Sequence, residues 1–143
     1  MMRMMTKIAA AGLATMIALP ASAAITTRED NMAQPQGWSA VAGMDPREVR
    51  EMARSLPPTT DVSPDKPWCD HRAQVEQSLT NEFGEARIGS NGGDTALWGS
   101  EQMGTWTVVL ERADATSCII ASGTGFTTGA NPSAYLTRVG LAR

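Results

Sequence analysis

The chain has 143 residues, with 12 lysines and arginines against 15 aspartates and glutamates, and its formal net charge is −3. This length suits one domain. Because the arginines are scattered through an acidic sequence, the chain lacks the basic stripe that neutralises phosphates, which argues against nucleic acid and anionic membrane surfaces as partners.

The first 23 residues have the pattern of a secretory signal peptide. Arg3 and Lys7 form a positive n-region, residues 8–19 are an uncharged apolar run, and residues 20–23 (Pro-Ala-Ser-Ala) suit cleavage at position 23 or 24. The run is too short to span a membrane, so we expect a periplasmic or secreted protein with no membrane insertion after cleavage. Loss of Arg3 and Lys7 leaves 10 basic and 15 acidic residues, a net charge of −5.

Residues 24–66 have the composition of an N-terminal arm, polar and interrupted by proline and glycine. A helix is predicted at residues 45–56, because Asp45 suits the N-cap, Pro46 suits the first helical position, and apolar residues recur on one narrow stripe. The prolines that follow predict a stiff linker. We therefore expect a flexible arm ahead of a folded unit at residues 67–126.

The folded unit begins with a second predicted helix. Its apolar residues lie roughly along one helical face: Trp68, Val75, Leu79 and Phe83. Gly84 suits the left-handed position that ends a helix. After Gly84 the apolar period changes from helical to two, which indicates β-strands.

Four strands are predicted after this helix, at residues 86–89, 95–99, 105–111 and 117–122, with Asn91-Gly92 as a hairpin turn. The expected fold is α+β: one helix packed on a three- to four-stranded antiparallel meander. Residues 127–143 form a C-terminal tail with a short helix capped by Asn131.

Cys69 and Cys118 are the two cysteines of the chain. In an oxidising compartment they can pair, and we predict a disulfide that pins the helix start to the last strand. In the chain-entropy model a bridge closing a loop of this length contributes about 4 kcal/mol. A catalytic redox pair is the alternative, but such thiols are usually adjacent, as in Cys-x-x-Cys.

Strand tryptophans indicate a partner surface. One helix can cover only one face of the sheet. If that face carries residues 106, 108 and 110, the opposite face stays open unless the arm and tail cover it. Tryptophans among threonines suit recognition of a peptide, a glycan or another protein, although a strand tryptophan also suits a core. The predicted partner-binding residues are Trp98, Thr105, Trp106, Thr107 and Val109.

No catalytic residue, cofactor or metal is predicted. His71 is the only histidine and is expected on a solvated helix surface, whereas zinc needs three or four convergent ligands. Residues 63–66 match Ser-x-x-Lys but lie in a proline-rich linker, and the glycine-rich residues 89–94 fit a hairpin turn. Four carboxylates leave open a catalytic pair in one cleft, as in glycosidases: Glu76, Glu82, Glu85 and Asp94.

The stretch from Trp68 to Phe126 resembles small exported proteobacterial proteins of unknown function. The shared features are Cys69 and Arg72 opening a helix, Phe-Gly-Glu at 83–85, Gly-Thr-Trp-Thr at 104–107, and Cys-Ile-Ile-Ala-Ser-Gly at 118–123. The resemblance implies an exported domain with a disulfide and supplies no catalytic residue or cofactor.

These observations favour a non-enzymatic exported module that binds a protein or a cell-envelope component. The alternative is a small periplasmic hydrolase that uses carboxylates. A structural or stress-related role in the envelope is a third interpretation, which a fully covered sheet would favour.

Overall fold

A computed structural model of the chain describes residues 35–90, 92–129 and 131–141. The predicted signal peptide and the first part of the predicted arm lie outside these residues. None of the helices described is both long enough and apolar enough to cross a membrane.

The described residues form six strands and three helices. In chain order they are β1 (Gln36–Ser39), α1 (Pro46–Ala53), β2 (Cys69–His71), α2 (Arg72–Phe83), β3 (Ala86–Ser90), β4 (Thr95–Ser100), β5 (Thr105–Glu111), β6 (Thr116–Thr124) and α3 (Pro132–Arg138). The α+β class, and strands close to all four predicted positions, are confirmed.

The sheet is entirely antiparallel and larger than predicted. Strands β3 to β6 form the expected meander, but β1 and β2 both pair with the outer edge of β6 and bring the sheet to six strands. Strand β1 pairs with the last four residues of β6, and β2 pairs with the first three. The prediction of three to four strands was therefore too small, because β1 and β2 are too short to show a period of two.

Helices pack on both faces of the sheet. Helices α1 and α3 lie on one face with Trp106, Val108 and Leu110, whereas α2 lies on the other face. The sequence left open which face of the sheet α2 covers, and the structure places α2 on the face opposite Trp106, Val108 and Leu110. Strand β5 is buried on both faces, so alternation alone does not assign α2 to either one.

The segment predicted as a flexible arm contributes to the core. Val49 and Ala53 of α1 are fully buried against the sheet, and β1 is hydrogen-bonded to β6. The N-cap is as predicted, since Asp45 Oδ1 accepts a hydrogen bond from the Arg47 amide at 2.8 Å, although α1 ends three residues early, at Ala53. Both elements of this segment bury surface on the sheet, so the described part of the predicted arm belongs to the folded domain.

The C-terminal tail also packs on the sheet. Asn131 caps α3 through Oδ1, which accepts from the Ser133 amide at 3.0 Å, as predicted. Tyr135 and Leu136 of α3 are buried in the same core as α1.

The predicted disulfide between Cys69 and Cys118 is present. It joins directly opposed residues of β2 and β6, and both sulfur atoms lie beneath α1, near the carbonyl oxygen of Ala53. Cys69 belongs to β2 and not to the start of the helix, which begins at Arg72. The bridge therefore fixes an edge strand, and it does not clamp α2 across the sheet as the sequence led us to expect.

A cross-strand row of glycines accommodates the largest core side chain. Trp106 is opposite Gly99 on β4 and Gly123 on β6, and Gly123 is opposite Gly37 on β1. The indole of Trp106 lies over Gly123 and Gly37, so that a Cβ built at Gly37 would be 2.6 Å from Trp106 Cη2 and 2.7 Å from Val139 Cγ1. Close approach of the ring therefore requires glycine at position 37.

We expect Gly37→Ala to destabilise the fold, because the new methyl group overpacks the Trp106 ring. Overpacking of this kind costs about 1–3 kcal/mol. Urea unfolding followed by circular dichroism measures the loss, and Gln36→Ala, an exposed position on the same strand, is the control. An unchanged unfolding midpoint in Gly37→Ala would show that the ring has room to move.

Candidate functional site

Helix α2 covers only part of its face of the sheet. The uncovered part is the floor of an open cleft, named here the α2 cleft, with a volume of about 760 Å³. Its lining comes from α2, from the segment between Thr60 and Trp68, from β1, and from β5 and β6. This volume lies within the range of about 300–1,000 Å³ typical of ligand pockets.

Strand register explains the polar floor. Thr107 of β5 is opposite Ser122 of β6, and Ser122 is opposite Trp38 of β1. Directly opposed residues share a face of the sheet, so these three side chains form a row that crosses the cleft floor and ends at an exposed indole. Trp38 is 57% exposed, which makes it available to an occupant of the cleft.

Hydrogen bonds position the part of the cleft wall formed by the segment before β2. The Trp68 Nε1–H donates to the Thr59 carbonyl oxygen at 2.9 Å, and the Thr59 amide donates to the Cys69 carbonyl oxygen at 2.8 Å. The Trp68 carbonyl oxygen accepts from the Ile119 amide at 3.0 Å. Trp68 is therefore tied both to the loop and to the sheet, and its ring is a fixed part of the wall.

Glu85 lies at the base of the cleft. It follows Gly84, which has a φ of +62°, a backbone conformation that few residues other than glycine adopt. The amides of Gly84 and Glu85 donate to the carbonyl oxygens of Thr80 and Leu79 at 3.1 and 3.0 Å. This turn directs the chain from α2 into the sheet and places Glu85 beneath the end of the helix.

The carboxyl group of Glu85 is buried without an ionic partner. The residue is only 2% exposed, and within the described residues its Oε2, like the hydroxyl oxygen of Thr105, has no hydrogen-bond partner. Within residues 35–90, 92–129 and 131–141, no lysine or arginine forms an ion pair with it. Burial raises the pKa of Glu85, and the nearby hydroxyls of Thr107 and Thr105 oppose that rise.

This raised pKa predicts a pH-dependent effect of Glu85→Gln. The folded state holds the proton of Glu85 more tightly than the unfolded chain does, so the stability contributed by the neutral form is complete at low pH and is lost as pH rises through the folded-state pKa. Glutamine stays neutral throughout. We expect the free energy of unfolding of the wild type to fall relative to Glu85→Gln as pH rises above the ordinary pKa of a glutamate, measured by urea unfolding at each pH.

Glu101→Gln is the control for the loss of one negative charge, since Glu101 is exposed in the turn after β4. A wild-type stability that rises with pH relative to Glu85→Gln would contradict the burial argument.

The five predicted partner-binding residues lie in three different environments. Thr105 and Thr107 line the α2 cleft. Trp98 and Val109 are buried beneath α2 with Val75 and Leu79. Trp106 borders the cleft floor, but its side chain is fully buried on the opposite face, against Tyr135.

The four carboxylates considered for paired catalysis also lie in different environments. Glu82 and Glu85 both line the α2 cleft. Asp94 forms an ion pair with Arg54 at 2.6 Å, and Glu76 is half-buried on α2 outside the cleft.

The remaining motifs stay apart from one another. His71 is exposed at the start of α2, and Ser63 donates a hydrogen bond to Asp65 within the cleft wall. Among the residues described, no cluster of three histidine, cysteine or acidic side chains could hold a metal ion.

Sequence reasoning did not single out Trp38 and Trp68 as site residues. Trp38 stands beside Gly37 in a stretch without apolar periodicity, and Trp68 fitted the apolar stripe of the predicted helix. Glu85 had a usable signal, since an acid directly after a helix-ending glycine enters the sheet at the helix end.

A comparison with protein-family models, curated proteins and solved structures finds no significant match to this chain.

Proposed function

We propose that this protein is an exported, non-enzymatic binding module that holds a protein or another cell-envelope component in the α2 cleft. The observation that carries the proposal is the cleft itself, open to solvent, with a polar floor and the exposed side chain of Trp38 at its rim. A sheet covered on both faces would have favoured a purely structural role.

Two features support the export that this role requires. The disulfide between Cys69 and Cys118 is of the kind that persists in oxidising compartments. The first 23 residues have the pattern of a signal peptide. Both favour a periplasmic or secreted location, where envelope components are accessible.

Site-specific photo-cross-linking tests the proposal. A photoreactive amino acid replaces Val62, which is 77% exposed on the cleft wall, and the exported protein is irradiated in an envelope extract. The matched control carries the same group at Ile88, which is 41% exposed on β3 and outside the cleft.

We expect one discrete adduct from position 62, lost in the Trp38→Ala background and absent from position 88. No adduct from position 62, or the same adduct from both positions, would overturn the proposed function.

A carboxylate-based hydrolase is the second candidate, favoured by the presence of Glu82 and Glu85 in one cleft. A buried carboxyl with a raised pKa suits a general acid, and an exposed carboxylate suits its partner. Turnover of glycoside substrates that is lost in Glu85→Gln and retained in Glu76→Gln would favour this candidate over binding.

A further inference from the structure

The α2 cleft continues into a second groove with a volume of about 330 Å³. The two cavities share four lining residues: Thr60, Trp68, Ser78 and Glu82. The second groove is also lined by three side-chain amides of α2, those of Gln74, Gln77 and Asn81, and it is named here the amide groove. Together the cavities form one path from Trp38, past Trp68, to the outer surface of α2. A path of this length suits a chain-like occupant.

Accessible hydroxyl groups line the α2 cleft. Thr60, Ser122 and Thr124 are exposed, and within the described residues none of their hydroxyls makes a hydrogen bond. An occupant of the cleft can therefore reach them. A hydroxyl both donates and accepts hydrogen bonds, so these side chains suit an occupant whose own groups do both.

The amide groove has the same dual hydrogen-bonding character. Gln74, Gln77 and Asn81 are exposed, and they follow one another at intervals of three and four positions, so they share a face of α2. Each side-chain amide has two N–H donors and a carbonyl acceptor. An acetamido group also has an N–H and a carbonyl, so it can donate to these amides and accept from them.

The accessible charges along the path cancel. Lys66 and Glu82 are exposed, one of each sign. The other two acidic residues of the lining, Asp70 and Glu85, are buried, and Asp70 Oδ1 accepts a hydrogen bond from the His71 amide at 2.7 Å. The path therefore favours an occupant without net charge, because a charged group would lose hydration there without gaining a net opposite charge.

Aromatic rings supply the apolar contact. Trp38 and Phe83 are both exposed in the lining of the α2 cleft. The face of an indole is flat and apolar, and one face of a pyranose ring is likewise flat and rich in C–H groups. Because Trp38 and Ser122 are directly opposed, their Cβ atoms lie about 4.5–5.5 Å apart. A sugar ring stacked on Trp38 therefore has a hydroxyl side chain beside it.

The floor of the cleft offers no free strand edge to a peptide. Strands β5 and β6 are paired with other strands on both sides, so their backbone groups are engaged within the sheet. Polar contacts with an occupant of the floor are therefore made by side-chain hydroxyls. This favours a saccharide, whose polar groups are hydroxyls, over an extended polypeptide, which binds sheets through backbone hydrogen bonds at an edge.

We propose that the α2 cleft and the amide groove bind a neutral oligosaccharide of N-acetylated amino sugars, an assignment that rests on the binding role proposed above. One sugar ring stacks on Trp38 and directs a hydroxyl toward Ser122. The saccharide chain continues past Trp68, and an acetamido group further along it pairs with the amides of Gln77 and Asn81. Every polar side chain used in this way is exposed.

Titration of the exported full chain with trisaccharides tests the assignment. The probe is tri-N-acetylchitotriose. The controls are cellotriose, which has hydroxyls in place of the acetamido groups, and deacetylated chitotriose, which is cationic. NMR shifts of amides around the path measure binding. We expect the acetylated probe to bind about tenfold more tightly than either control, because the acetamido contact contributes about one hydrogen bond.

Three variants locate the contacts. Trp38→Ala should weaken all three trisaccharides by a similar factor, and Gln77→Ala/Asn81→Ala should remove the preference for the acetylated probe. Thr80→Ala is the matched control, since Thr80 is exposed on α2 outside both cavities, and it should change neither property. Exposed positions tolerate such substitutions, and circular dichroism checks that each variant is folded.

Equal binding of the three trisaccharides, or no shift with the acetylated probe, would overturn the saccharide assignment. The cross-link from position 62 separates this failure from that of the proposed function. An adduct whose cross-linked partner is digested by a protease, and which tri-N-acetylchitotriose does not displace, identifies a protein occupant. That result leaves the binding role intact and overturns the saccharide assignment, whereas absence of any adduct overturns both.

Discussion

Replacing both cysteines in Cys69→Ala/Cys118→Ala is expected to lower the free energy of unfolding by about 3–4 kcal/mol. The bridge spans 49 positions of the chain, so its loss restores considerable freedom to the unfolded state. Small domains are stable by only about 5–15 kcal/mol, so the variant would lose a large fraction of its stability. Guanidinium unfolding of the wild type and the variant measures the difference.

Reduction of the wild type by a thiol in the same experiment is the control, because it breaks the bridge without emptying the buried space beside Ala53. The two treatments should agree within about 1 kcal/mol, since the additional cavity in the variant is small. A loss below about 1 kcal/mol in both would show that β2 stays paired without the bridge, a result at the low end of the range for disulfides.

The second large effect is expected for Trp106→Ala. Its side chain is fully buried, its Nε1–H donates to the Thr124 carbonyl oxygen at 2.8 Å, and its ring packs edge-on against Tyr135 with centroids 5.3 Å apart. Tryptophan-to-alanine changes in cores cost about 3–5 kcal/mol. Chemical unfolding should show this loss in full.

Trp38→Ala is the matched control, since Trp38 is exposed at the cleft rim. Its stability should stay within about 0.5 kcal/mol of the wild type, while binding in the cleft weakens. If Trp106→Ala instead keeps the stability of the wild type and loses binding, Trp106 belongs to the partner surface, as predicted from the sequence.

The meander was predictable because its signals are local. Strand β5 has the predicted bounds of residues 105–111, and Gly84 ends α2 in the left-handed conformation, as expected. Apolar alternation and helix-ending glycines act over a few neighbouring residues, so both signals can be recognised in a single sequence.

The two edge strands were not predictable for the opposite reason. Strands β1 and β2 have four and three residues, and they are extended because β6 offers unpaired hydrogen-bonding groups along its outer edge. Even the nearest of these pairs, His71 with Thr116, joins residues that are far apart along the chain. The local sequence pattern therefore does not indicate that β1 and β2 pair with β6.

The candidate site was likewise predictable only in part. Thr105 and Thr107 were considered for an open face, and they line the cleft. That face is only partly open because it also holds α2, whereas α1 and α3 cover the side of Trp106. The packing of α1, α2 and α3 against one another decides which face of the sheet each helix covers. The apolar stripe of a single helix does not specify this choice. Trp38 and Trp68 join the site only through β1 and β2.

The α2 cleft is assembled from β1, the loop before β2, α2 and the central strands, which are far apart along the chain. An occupant that contacts all of these walls has no site on the unfolded polypeptide, so its binding energy adds directly to conformational stability. At a ligand concentration one hundred times Kd the gain is about 2.7 kcal/mol. Thermal-shift screening of fractionated envelope material therefore reports occupancy even while the chemical identity of the occupant is unknown.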